Sequence, residues 1–121
     1  MPPPLTDEIR YQLLRFLQEN PEASQRELAR HLGISVGKVN YCLRALIEKG
    51  WLKMRNFRNS QNKLAYAYKL TPKGIEEKVN VTASFLRRKM VEYDAMSAEI
   101  ERLSRELAES GVMIPDDLGA R

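Results

Sequence analysis

The sequence predicts a mainly α-helical chain with one small β-hairpin, closed by a single long C-terminal helix. Three observations predict it. Between residues 6 and 50 apolar residues recur at helical spacing in three short segments, each bounded by a capping residue and a helix breaker. Two segments of period two, 51–58 and 63–70, flank the polar cluster Asn59-Ser60-Gln61-Asn62. Beyond Gly74 no Pro or Gly interrupts the chain until Gly111.

The start, MPPPL, is a Pro-rich leader expected to be flexible over 1–5. Thr6 is placed to cap the first helix, and Asp7 and Glu8 suit the positive end of its dipole. Ile9, Leu13, Phe16 and Leu17 give that helix one apolar stripe. It should stop by Asn20, because Pro21 disfavours helical backbone in the residue before it. Ser24-Gln25-Arg26-Glu27 matches the capping box, in which the serine and glutamate side chains satisfy two backbone N–H groups. The short helix that follows is expected to bury Leu28, Ala29 and Leu32. Gly33 supplies a left-handed residue at its end, and Ile34 plugs the turn. Ser35 caps a third helix running to about Lys49, with Gly50 as its stop and Val36, Val39, Leu43, Leu46 and Ile47 as the inward stripe.

Two helices joined at a tight glycine turn are the outline of a helix-turn-helix, whose second helix enters the major groove of DNA. The residues facing outward on that helix are Ser35, Gly37, Lys38, Asn40, Tyr41 and Arg44. A glycine among small and hydrogen-bonding residues lets a helix approach base edges closely and read them. In the hairpin, Leu64, Tyr66, Tyr68 and Leu70 alternate with Ala65, Ala67 and Lys69, the period of a half-buried strand. Leu52 and Met54 alternate with Lys53 and Arg55 until Phe57 breaks the phase. A hairpin in this place is the wing of a winged helix-turn-helix. Ser24, Arg26, Arg55, Arg58, Asn59, Asn62 and Lys63 are the candidates for contacts to the DNA backbone.

Charge agrees with that reading. The chain carries 20 Lys and Arg against 16 Asp and Glu, a formal net charge of +4. Residues 24–70 alone carry +8, with Glu27 and Glu48 as their only acids, while both flanks are net acidic. A basic centre of this kind is the footprint of a polyanion-binding module.

Thr71-Pro72 opens the last element, with proline at the first helical position, where its missing N–H does no harm. A helix of about forty residues is roughly 60 Å long. Ile75, Val79, Thr82, Leu86, Lys89, Tyr93, Met96, Ile100, Leu103 and Leu107 alternate in steps of four and three. That is a heptad seam, which predicts coiled-coil dimerisation, with Val79, Leu86, Tyr93, Met96, Ile100, Leu103 and Leu107 as its apolar members. Its direction, parallel or antiparallel, is left open. Phe85 and Met90 lie beside the seam, placed to widen it or to dock on the wing. The expected domains are thus a winged helix-turn-helix over 6–71, a dimerisation helix over 72–110 and a flexible tail over 111–121.

The combination SQRELARHLGIS, VGKVNYCLRALIEKGWL, RNFRN and LTPKGIEEK resembles the MarR-type winged-helix regulators over about residues 6–95. Within them it is similar to the small bacterial group of MarR family EPS-associated transcriptional regulators, linked to exopolysaccharide gene clusters. The resemblance implies a dimeric repressor or activator, with Lys38, Asn40, Tyr41 and Arg44 aligned to the recognition helix. Typical MarR proteins place further helices around a small-ligand pocket. This chain departs from that pattern, so a small-molecule effector is not supported.

Catalysis has little to stand on: one histidine, His31, and one cysteine, Cys42, lie in different helices of the motif, and no phosphate loop or metal-ligand spacing occurs. No cofactor is expected. Cys42 reads as a core thiol, a single cysteine suits a reducing compartment, and no signal peptide or membrane span is apparent. The partners expected are double-stranded DNA and a second copy of the chain, in the cytoplasm. The rival reading is a winged-helix protein-interaction module whose long helix pairs with a different coiled coil.

Overall fold

A computed structural model describes residues 6–58 and 60–111. The expected leader, the tail beyond Gly111 and Asn59 lie outside the described residues. In order, the elements are α1 (Asp7–Glu19), α2 (Gln25–Leu32), α3 (Val36–Glu48), β1 (Leu52–Arg58), β2 (Leu64–Leu70) and α4 (Pro72–Glu109). This is a winged helix-turn-helix followed by one long helix. The chain divides into two units, Met1–Phe85 and Leu86–Arg121.

Local chemistry explains where each element begins and ends. Thr6 Oγ1 accepts from the Ile9 N–H at 3.2 Å and opens α1, and α1 closes where Asn20 donates to the Phe16 carbonyl from its backbone and its side chain. The capping box of α2 is complete: Glu27 N–H donates to Ser24 Oγ at 3.1 Å and Ser24 N–H donates to Glu27 Oε1 at 3.0 Å. Gly33, at φ 70°, ends α2. Ser35 Oγ accepts from Lys38 N–H at 3.1 Å to open α3. Gly50, at φ 79°, lets the chain leave α3 while the Trp51 N–H returns to the Leu46 carbonyl.

The core of the first unit is a layer of leucines from three helices. Leu13, Leu14, Leu17, Leu28, Val39, Cys42, Leu43 and Leu46 are all buried to 1 % exposure or less. Each fully buried leucine contributes about 1.5–3 kcal/mol relative to an exposed one. Trp51, Leu52, Tyr68, Leu70 and Val81 close the layer from the hairpin and α4. Leu14 joins Leu13 and Leu17 inside because α1 is covered on two sides, so its apolar stripe is broader than the spacing of Ile9, Leu13, Phe16 and Leu17 predicts. Val36 is 45 % exposed, contrary to its place in the predicted inward stripe. It is the first residue of α3 and stands clear of the core that begins at Val39.

β1 and β2 pair antiparallel, with Leu52 opposite Leu70 and Arg58 opposite Leu64. Only the root of the hairpin reaches the core. Tyr68 and Leu70 are buried, whereas Leu64 and Tyr66 are 56 % and 44 % exposed, so the predicted half-buried strand holds for its second half alone. Toward its tip the wing extends past the last helix that could cover it. The Tyr68 N–H donates to the Pro21 carbonyl at 2.9 Å, joining the α1–α2 loop to the outer side of β2.

The opening of α4 belongs to the same unit. The Thr71 hydroxyl donates to the Gly50 carbonyl and accepts from Gly74 N–H at 3.0 Å. Val81 is buried; Lys78 Nζ donates to Gln18 Oε1 and Ser84 Oγ to Asp7 Oδ2. Phe85 packs on α1. Its ring stacks on Tyr11 of α1 with centroids 5.4 Å apart, because α4 lays that face along α1. In the second unit α4 continues to Glu109, and every residue from Leu86 to Gly111 except the half-buried Ser104 is exposed.

Candidate nucleic-acid interface

The inner face of α3 is fixed by Val39, Cys42, Leu43 and Leu46 against α2 and the core, and that fixes which residues face out. Gly37, Asn40, Tyr41 and Arg44 share one shallow open groove along the outer face, continued by Ala45 and Glu48. Ser35 and Lys38 flank its N-terminal end, where Ser35 Oγ is engaged as the helix cap. Of the six predicted base-facing residues, Ser35, Gly37, Tyr41 and Arg44 are exposed and Lys38 and Asn40 half-buried. Glu48 makes the C-terminal end of the groove acidic, so the positive charge of this face lies in the first three turns.

Gly37 is informative because nothing among the described residues asks for it. A β-carbon built there meets only Ser35 Oγ, 4.0 Å away, and its φ is not in the left-handed region. A glycine within a helix costs about 0.5–1 kcal/mol relative to alanine. The cost has no return in packing among the described residues.

Asn40 and Arg44 also border a second depression, shared with Gln25 of α2 and with Met54, Tyr66 and Tyr68 of the hairpin. Gln25, Met54 and Tyr66 are thus neighbours of the outward face that sequence reasoning missed. Met54 and Tyr66 read as core members of an alternating strand, and only the register of the hairpin against α3 reveals them as surface. Gln25 donates from Nε2 to the buried Tyr68 hydroxyl at 3.4 Å, which ties the start of α2 to the wing.

The register divides the cations of the wing. Asn56 faces Tyr66 and Arg58 faces Leu64, on the side that carries Met54 toward α3. Arg58 Nη1 donates to the Asn62 carbonyl at 3.3 Å, and Asn62 turns the tip at φ 61°. Arg55 does not join Arg58. It lies on the opposite side with Lys53 and Lys69, which are direct cross-strand partners, in a groove shared with Leu17, Pro21 and Ile75. Ser24 and Arg26 are exposed at the start of α2, with the Ser24 hydroxyl committed to its cap, and Lys63 is exposed beside the tip. His31 is exposed and stacks on Phe16, ring centroids 4.2 Å apart.

Two titrating groups are displaced from their ordinary ranges. The bonds from the Ser24 backbone and hydroxyl hold the Glu27 carboxyl below its usual value of 4.5. Burial pushes the Cys42 thiol up, against the opposing pull of Lys38 and Arg10, so at neutral pH it is a protonated core group. Among the described residues no cluster of three or more His, Cys, Asp or Glu is placed to hold a metal, and no helix is long and apolar enough to cross a membrane.

Comparison with known proteins gives the same architecture. A family model described as winged helix-turn-helix DNA-binding matches residues 6–53. Among solved structures, a PadR-like transcriptional regulator from Bacillus cereus superposes with a TM-score of 0.65 at 16 % identity, over 73 % of this chain and 90 % of its own. The PcaV transcriptional regulator from Streptomyces coelicolor, solved with its natural ligand, gives 0.59 at 20 % identity, over 84 % and 74 %. A MepR mutant from S. aureus bound to an oligodeoxyribonucleotide gives 0.51 at 20 % identity, over 82 % and 78 %. No curated protein sequence matches the chain. What the chain shares with these structures is the winged helix-turn-helix fold, with the matched segment ending at the root of its wing.

Proposed function

We propose that the chain is a sequence-specific transcriptional regulator that binds double-stranded DNA as a homodimer. The outer face of α3 carries this reading. Gly37, Tyr41 and Arg44 are exposed and Lys38 and Asn40 half-buried on one face of a well-packed helix, and its glycine meets no packing demand among the described residues. Lys38 and Arg44 suit the acceptor edge of guanine and Asn40 suits adenine, while Gly37 allows close approach to the groove floor. Arg58, Asn62 and Lys63 at the wing tip and Ser24 and Arg26 at the exposed start of α2 supply backbone contacts to either side, and Asn59 is a further candidate from the sequence. The MepR mutant bound to an oligodeoxyribonucleotide supports the same use of the fold.

Two such faces in a homodimer would read half-sites about one helical turn, roughly 34 Å, apart. The regulated genes we propose are exopolysaccharide-associated ones, on the resemblance of VGKVNYCLRALIEKGW and RNFRN alone. A small-molecule effector is not part of this reading, and the expected compartment is the cytoplasm. The protein-interaction alternative is disfavoured by the +8 charge of residues 24–70, which a docking face does not need.

Selection of bound sequences from a random duplex pool tests the proposal. A recovered motif with two-fold symmetry is the expected result. Absence of any duplex binding at low salt would overturn it in favour of the interaction module.

A further inference from the structure

The seam of α4 is exposed along its whole second half. Leu86, Tyr93, Met96, Ile100, Leu103 and Leu107 are between 41 % and 71 % exposed on one continuous helix. An apolar stripe of this length is an interface waiting for a partner, and its two flanks differ in a way that identifies the partner. Glu92, Glu99 and Glu106 immediately precede Tyr93, Ile100 and Leu107, so one flank is a column of three carboxylates. Met90, Ser97 and Ser104 immediately follow Lys89, Met96 and Leu103, so the other flank carries no charge.

We infer that α4 pairs with α4 of a second copy in parallel and in register. The inference rests on the proposed homodimer and adds its direction. In a parallel pair the residue before one seam layer faces the residue five positions further along the partner, on the partner's opposite flank. Glu92 then meets Ser97 of the second copy, and Glu99 meets Ser104, and the symmetry repeats both pairs on the other side. Glu92 and Glu99 each accept from a serine hydroxyl short enough to let them approach. In an antiparallel pair like flanks meet, which sets carboxylate against carboxylate along the whole column and serine against serine. Like charges directly opposed are unfavourable, so the same residues that fit the parallel pair oppose the antiparallel one.

The parallel arrangement also gathers the seam into matched layers: Tyr93 on Tyr93, Met96 on Met96, Ile100 on Ile100, Leu103 on Leu103. The like-charged layer is Lys89, whose ammonium lies 3.2 Å from Glu92 of its own helix, so a carboxylate sits beside each cation. A polar layer of this kind costs stability and fixes register.

Single cysteines decide the direction in the full chain, with wild type as the control for Cys42. Under mild oxidation, Leu86→Cys and Leu103→Cys should each form a disulfide-linked dimer by itself. Cross-linking only when the two variants are mixed would show antiparallel pairing and overturn the inference, while leaving the homodimer intact. A dimer in which neither variant cross-links, alone or mixed, pairs elsewhere and overturns it as well. A monomeric mass for wild type in light scattering would instead remove the homodimer itself. As a check that spares the seam, the triple variant E92Q/E99Q/E106Q should leave the dimer dissociation constant unchanged or raise it by up to about tenfold as the Lys89 layer loses its carboxylates, and a tightening of about tenfold or more would mark relieved carboxylate contacts and overturn the parallel pair.

Discussion

A β-carbon on Gly74 would lie 2.0 Å from the carbonyl oxygen of Trp51 and 2.9 Å from its carbonyl carbon. The first turn of α4 is therefore pressed against the backbone that leaves α3, and the same Trp51 carbonyl accepts the N–H of Thr71 at 3.0 Å. Gly74→Ala must push two hydrogen-bonded backbone segments apart. We expect a loss of about 1–3 kcal/mol or more in urea unfolding, the range for forced overpacking. Pro72→Ala, at an exposed position two residues earlier, should stay within about 0.5–1 kcal/mol of wild type.

Gly37→Ala is expected to act in the opposite sense on stability. The site has room for the methyl group, so unfolding should become harder by about 0.5–1 kcal/mol. Specific DNA affinity should fall at the same time, because the methyl projects from the outer face of α3. A variant that is more stable and binds its selected sequence equally well would separate Gly37 from recognition.

Arg44→Ala and Arg58→Ala should fail differently. In the proposed interface Arg44 reads a base, so its loss should reduce discrimination at one position by about 1–3 kcal/mol. Loss of Arg58 should weaken selected and random duplexes alike and lower the slope of log affinity against log salt by about one. Titrations of both variants on both duplexes at two salt concentrations distinguish the roles. Equal losses on both duplexes for Arg44→Ala would show that it does not read bases.

The α2 capping box should weaken in acid. The folded carboxyl of Glu27 is held below its ordinary value, so its contribution is fully present above about pH 4.5. That contribution fades as the pH falls through the lowered folded value, where the carboxylate takes up a proton. Glu27→Gln keeps an acceptor for the Ser24 N–H but cannot titrate. Unfolding midpoints of the two proteins measured from pH 7 to pH 3 should therefore converge toward the acid end. Parallel curves would mean that the carboxylate charge contributes nothing to the cap.

Much of this fold is legible in the sequence because its helix ends are written in local chemistry. Thr6, Ser24 with Glu27, Gly33, Ser35 and Gly50 each act within four residues of their own position, and each does in space what its type predicts. The wing is read less well. Alternation in Leu64, Tyr66, Tyr68 and Leu70 is real, but how far a hairpin extends past its core depends on the helices behind it, not on the strand. For the same reason Met54 and Tyr66 could not be placed beside Arg44, nor Arg55 separated from Arg58, before the register and the face turned toward α3 were known. Nothing local requires a glycine at position 74, and its role is visible only when Trp51, more than twenty residues earlier, is seen against it. Phe85 likewise needed Tyr11.

The hydrogen bond from Tyr68 to Pro21 bears on how this protein behaves when crowded with copies of itself. A two-stranded sheet leaves an open row of donors and acceptors along each outer strand, and such rows recruit further strands and seed aggregation. Pro21 meets that row with a carbonyl but has no N–H to return. It occupies the edge as an acceptor and cannot extend the ladder into a third strand. A proline that acts as a stop signal for one helix thus also blocks the root of β2 against a further strand.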